Sequence, residues 1–268
     1  CPRTEKTMDH SERTQRKPFQ ANNPVFRESV FDSSIYGVSD ISTTVEGAIA
    51  KTGILLSLVT LMGIVGFAIP NGPIAIGAFI VALALSLFIG FKPLMAATLA
   101  PIHALVYGYV VGVISFALNT AIQEAPKVSA LGKGAIPIAI FGTLLTTGVM
   151  LTLYRTRVIR VTETFKSVIL GATLAVFLLY MVVFLVGFAA PGLRQMAILQ
   201  PTPVGIAFSV FVVVLAAFNL LLDFHWMEEA ANNRLPKAFE WYTGFGLMLT
   251  IVWLYVEILK LIWKISRR

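Results

Sequence analysis

Ionisable side chains set inside long apolar runs are the residues of this sequence with chemistry to perform. Asp223 closes the run Ala217-Phe218-Asn219-Leu220-Leu221-Leu222-Asp223, and Asn219 stands one helical turn before it. The two predict a polar stripe beside Ala216 that turns into a helix bundle. Glu257 lies within Trp253-Leu254-Tyr255-Val256-Glu257-Ile258-Leu259-Lys260, inside the last apolar run. A carboxylate there needs a partner or a proton, and Lys260 lies on the same helix surface. His103, between Pro101 and Tyr107, carries a ring that titrates near neutral pH when unperturbed. A charge at the centre of a span costs about 2.5–3.5 kcal/mol on insertion scales, so each position demands an explanation. A structural reading stands beside each functional one. Asp223 would mark the point where a helix leaves lipid, Glu257 and Lys260 a structural ion pair near the interface, and His103 a hydrogen-bonded core histidine.

Other chemistry is not apparent. There is no Gly-x-Ser-x-Gly elbow, no His-Glu-x-x-His, no phosphate-cradling glycine loop and no Gly-x-Gly-Asp within a span, so no enzyme is expected and no cofactor is implied. The single cysteine, Cys1, allows neither an intrachain disulfide nor a cysteine-based metal site. Thr143, Thr147 and Tyr154 share a helix face, but Ser and Thr commonly bond their own helix.

The elements that must hold these residues are membrane helices. Hydrophobic residues make up 57% of the 268 positions and charged ones 13%, against about a quarter charged in a soluble domain. Apolar runs at 47–69, 73–91, 94–118, 135–154, 167–190, 203–223 and 241–263 each approach the roughly 20 residues a bilayer requires. The expected fold is all-α: a polytopic membrane protein of about seven transmembrane helices over 47–268, preceded by a polar, partly flexible arm over 1–46. No apolar signal segment is visible in the arm, and Met8 offers an alternative start.

The net charge of +7 arises from basic residues between apolar runs, which argues for topology and against nucleic acid as a partner. With the N-terminus cytoplasmic, most of the 21 basic residues fall on that side. The tail of Lys264, Arg267 and Arg268 then falls opposite, unless one run is re-entrant. Ala100, Ala104, Gly108 and Gly112 recur every four residues with Ser115 close by, a seam along which a second helix can approach closely.

Several stretches resemble the Bax inhibitor-1 superfamily, in its bacterial YccA-like branch. They are Asn22-Asn23-Pro24-Val25-Phe26, Thr44-Val45-Glu46-Gly47-Ala48, the 100–115 stretch from Ala100-Pro101-Ile102-His103 to Ser115, Asn219 to Phe224, and Glu240 to Leu259. The resemblance implies a seven-helix bundle with a central last helix. It also implies an acidic pair on spans six and seven that acts as a pH-sensitive latch on a calcium leak.

By motif, Asp223 and Glu257 match that pair and would hold calcium transiently. His103 and Tyr107 stand where relatives carry tyrosine and glutamate, so the role of that glutamate does not carry over. Two neighbouring desolvated carboxylates titrate as a coupled pair, which gives such a latch a physical basis. Glu257 lies about 25 Å of helix beyond Glu240 at 1.5 Å per residue. Asp223 therefore meets Glu257 only if span seven begins outside the hydrocarbon core; otherwise Glu240 is the natural partner.

The resulting expectation is a pH-sensitive calcium or cation leak in a lipid bilayer, with a basic latch from Lys92 or the Arg155–Arg160 loop conceivable. The alternative is a non-conducting regulator of another membrane protein, such as a membrane AAA protease, acting through the arm. A bacterial plasma membrane is expected, with the mitochondrial inner membrane as the alternative.

Overall fold

The computed structural model describes residues 42–124, 134–186, 196 and 198–267. The Asn22–Phe26 motif, the arm up to 41, and Lys127, Lys133, Arg194 and Arg268 lie outside the described residues.

Among these residues the chain forms seven long helices: α1 (Val45–Ala68), α2 (Gly72–Phe91), α3 (Ala96–Gln123), α4 (Ala135–Arg155), α5 (Glu163–Val186), α6 (Pro203–Asn232) and α7 (Phe239–Ser266). All seven are long and apolar enough to cross a bilayer, with a short 3-10 turn at Pro93–Met95 leading into α3. Local chemistry sets the starts. The side chains of Thr44, Asn71 and Thr202 accept from the N–H groups of Gly47 (3.0 Å), Ile74 (3.1 Å) and Gly205 (3.0 Å), and Pro73 and Pro203 occupy first-turn positions that need no N–H donor.

The apolar runs underestimate two helices. Span six was expected to end at Asp223 and span three at 118, but α6 continues to Asn232 and α3 to Gln123. Residues 224–231 lose hydropathy without losing helix propensity, since Met227, Glu228, Glu229, Ala230 and Ala231 all favour helix. Asp223 therefore lies inside a helix rather than at its end.

Consecutive helices alternate in direction. Thr52 of α1 meets Gly244 and Ser115 of α3 meets Tyr255, so α1 and α3 run parallel to α7, whereas Gly205 of α6 lies beside Lys264 at the other end of α7. The last helix is central: α7 packs against α1, α3, α4 and α6. One of its faces places Phe245, Met248 and Val252 against Leu55, Val59, Ala100 and Ala104. Another places Leu247, Ile251 and Leu254 against Ala216, Leu220 and Phe224. On α2, α4 and α5, residues such as Ile80, Phe141, Leu144, Val168 and Leu178 point outward, as lipid-facing side chains do.

Ala100, Ala104, Gly108 and Gly112 are all buried, and the two glycines form the α1–α3 seam. A methyl group added at Gly108 would sit 2.9 Å from Val59 Cα, and one at Gly112 would overlap the backbone of Gly63. Backbone contact this close is available only to residues without a Cβ.

Candidate functional site on the last two helices

Asp223 is 6% exposed. Its carboxyl turns toward α7 at Gly246, where an added Cβ would lie 3.5 Å from Oδ1, and the Thr250 hydroxyl is within hydrogen-bonding reach. Oδ2 is buried and has no hydrogen-bond partner among the described residues, nor does any ion pair among them reach Asp223.

Glu257 belongs to a different cluster. Its carboxylate, 1% exposed, pairs with Lys260 at 2.6 Å and accepts from Trp253 Nε1–H at 3.1 Å and from the Tyr180 hydroxyl of α5 at 3.3 Å. The Lys260 ammonium also lies 4.2 Å from the centre of the Tyr180 ring. Tyr107 of α3 is within electrostatic reach of the same carboxylate.

Gly246 and Glu257 are separated by about 16 Å of helix at 1.5 Å per residue. The structure thus does not bring Asp223 and Glu257 together, and no calcium site is assembled between them. Among the described residues no group of three His, Cys, Asp or Glu side chains is arranged to hold a metal.

Glu240 is not the partner of Asp223 either. It is 2% exposed and accepts from the Thr44 N–H at 3.2 Å and from the Thr44 hydroxyl at 2.9 Å. A carboxylate of α7 thereby covers the positive N-terminal end of α1. Thr43 continues the contact, donating its N–H to Leu235 O at 2.8 Å and its hydroxyl to Pro236 O at 2.7 Å.

Asn219 is buried as its spacing suggested, but it donates to Thr173 Oγ1 of α5 at 2.8 Å and to Leu215 O at 2.9 Å. The stripe of Asn219 and Asp223 therefore divides between two neighbouring helices. His103 contacts Ser86 of α2 through Nε2 at 2.9 Å. The Ser86 hydroxyl also lies 2.9 Å from Ala82 O. Nδ1 is buried without a hydrogen-bond partner among the described residues. The ring stands edge-on to Phe245 at 4.8 Å, so His103 and Asp223 approach adjacent residues of α7, Phe245 and Gly246, from different sides.

The basic groups considered as a latch lie elsewhere. Lys92 follows the end of α2, Arg155 ends α4, and Arg157 holds a left-handed backbone (φ 54°) in the next turn. Near them Tyr154 donates to Glu228 and His225 lies 3.5 Å from Glu229.

Lys264 is the residue that sequence reasoning missed. Grouped with the basic tail, it is 4% exposed and donates to Ile198 O (2.8 Å), Gly205 O (2.9 Å) and Ser209 Oγ (2.8 Å). One signal was present: Glu257, Lys260 and Lys264 follow helical spacing on one face of α7.

A model of the family described as Bax inhibitor 1 like matches residues 9–267. Comparison with curated proteins and with solved structures gives no match. With seven membrane-crossing helices around a central last helix and a family match over nearly its whole length, the chain is an integral, multi-pass membrane protein that belongs to the Bax inhibitor 1-like family.

Proposed function

We propose that this protein is a proton-responsive cation leak, with calcium as the permeating ion, and that Asp223 alone controls it. The observation that supports this reading is Oδ2 of Asp223, buried inside the bundle with no hydrogen-bond partner among the described residues. A carboxylate in that position interacts very differently with its surroundings in its charged and neutral forms, because the low-dielectric interior neither screens nor solvates it.

The site is placed to act on the central helix. At one end α7 is held by Glu240 on Thr44, and toward the other by Glu257 and Lys260 on Tyr180. Between these clasps Asp223 faces Gly246 and Thr250 of α7, so a change in its charge acts directly on the central helix. Gly246 and Thr250 stand where a two-carboxylate latch would need its second acid, so the expected pH response is that of one proton.

Calcium entry into dye-loaded proteoliposomes, followed over a range of pH, tests the reading. Flux above that of empty liposomes that varies with pH supports it. Flux equal to empty liposomes at every pH overturns it and leaves a non-conducting regulator of another membrane protein, such as an AAA protease.

A further inference from the structure

We propose that Ile198 O, Gly205 O and Ser209 Oγ form a monovalent-cation site and that the Lys264 ammonium occupies it as a tethered plug. The three oxygens lie 2.8, 2.9 and 2.8 Å from Nζ. Three acceptors match the three N–H donors of an ammonium, whereas a neutral amine would leave one oxygen unserved.

All three oxygens are uncharged. A buried lysine ordinarily takes a carboxylate as partner, and the acid on the same face, Glu257, is engaged by Lys260 at 2.6 Å. Two of the three oxygens, Gly205 O and Ser209 Oγ, belong to the first turns of α6. Thr202 caps the Gly205 N–H, Pro203 fixes the first turn of α6, and Ser209 follows one turn later. A set of neutral carbonyl and hydroxyl oxygens replaces the hydration shell of a cation, as in the filters of cation channels.

The chemistry of the oxygens selects the ion. Calcium and magnesium both favour carboxylates, and none is among the three. Neutral oxygens that already hold an ammonium suit another weakly hydrated monovalent cation, such as potassium or methylammonium. The site lies at the opposite end of the α6–α7 seam from Glu240 and does not depend on whether the chain conducts ions.

The experiment compares thermal unfolding of the full-length native chain, Lys264→Ala and Lys264→Met in detergent, in chloride salts of choline, sodium, potassium or methylammonium. The native Tm is expected to be the same in all four, because the plug is in place. Both variants should melt at least about 3 °C lower in choline. They should recover half or more of that loss in potassium or methylammonium, and less in sodium. Equal losses in every salt, or variants as stable as the native chain in choline, overturn the proposal. Should a variant fail to fold, folding restored only by potassium or methylammonium supports the site, and failure in all four salts counts against it.

Discussion

Glu240 of α7 accepts hydrogen bonds from both the backbone N–H and the hydroxyl of Thr44, at 3.2 and 2.9 Å, so the central helix of the bundle caps the first. The contact ties the start of the membrane domain to the α6–α7 turn and fixes one end of α7. Replacing Glu240 with Ala strips the Thr44 N–H of its acceptor and should lower stability by about 1–2 kcal/mol, the usual range for a lost N-terminal cap. Glu240→Gln keeps an acceptor and should lose less. Melting temperatures of the two variants in detergent check the order, and a reversed order would contradict the capping role.

Glycines in this protein are predicted to differ sharply in their tolerance of a methyl group. An added Cβ at Gly112 overlaps the Gly63 backbone, which cannot rotate away, so Gly112→Ala should cost roughly 1–3 kcal/mol through overpacking. Gly77 has nothing within 4 Å of the added methyl, and Gly77→Ala should be neutral or stabilising by up to about 1 kcal/mol. Expression level and Tm of the pair give the comparison; equal effects would mean that the α1–α3 seam is looser than described.

The spans and their alternation were readable because hydropathy over about 20 residues is a local property that lipid enforces. The Glu257–Lys260 pair was readable for the same local reason, from spacing along one helix. What lay beyond reach depends on distant parts of the chain. Glu240 finds Thr44 across 196 positions, and Lys264 is buried against Ile198 and the start of α6, 55 to 66 positions away. The pairing of Asp223 with Glu257 rested on motif alone. The rise of α7 separates them and sets Gly246 and Thr250 opposite Asp223 instead. The length of α6 was missed because hydropathy fades after Asp223 while helix propensity does not.

Glu257 and Lys260 should behave as one unit. Removing either partner leaves the other charge in a largely desolvated site, so Glu257→Gln and Lys260→Met should each destabilise, by about 1–3 kcal/mol. The double variant should lose clearly less than the sum of the single losses. A double-mutant cycle on Tm or denaturation midpoint reads the coupling; strict additivity would show that the 2.6 Å pair contributes nothing as a pair.

Assigning control to Asp223 rather than to an Asp223–Glu257 latch separates two variants that a paired mechanism would treat alike. The measurement that tests this most directly is calcium flux into proteoliposomes against pH for the native chain, Asp223→Asn and Glu257→Gln. The account predicts that Asp223→Asn abolishes the pH dependence, leaving flux flat. Glu257→Gln should keep the native profile, even at reduced protein stability. Flux that keeps its pH dependence in Asp223→Asn, or loses it equally in both variants, would contradict the account.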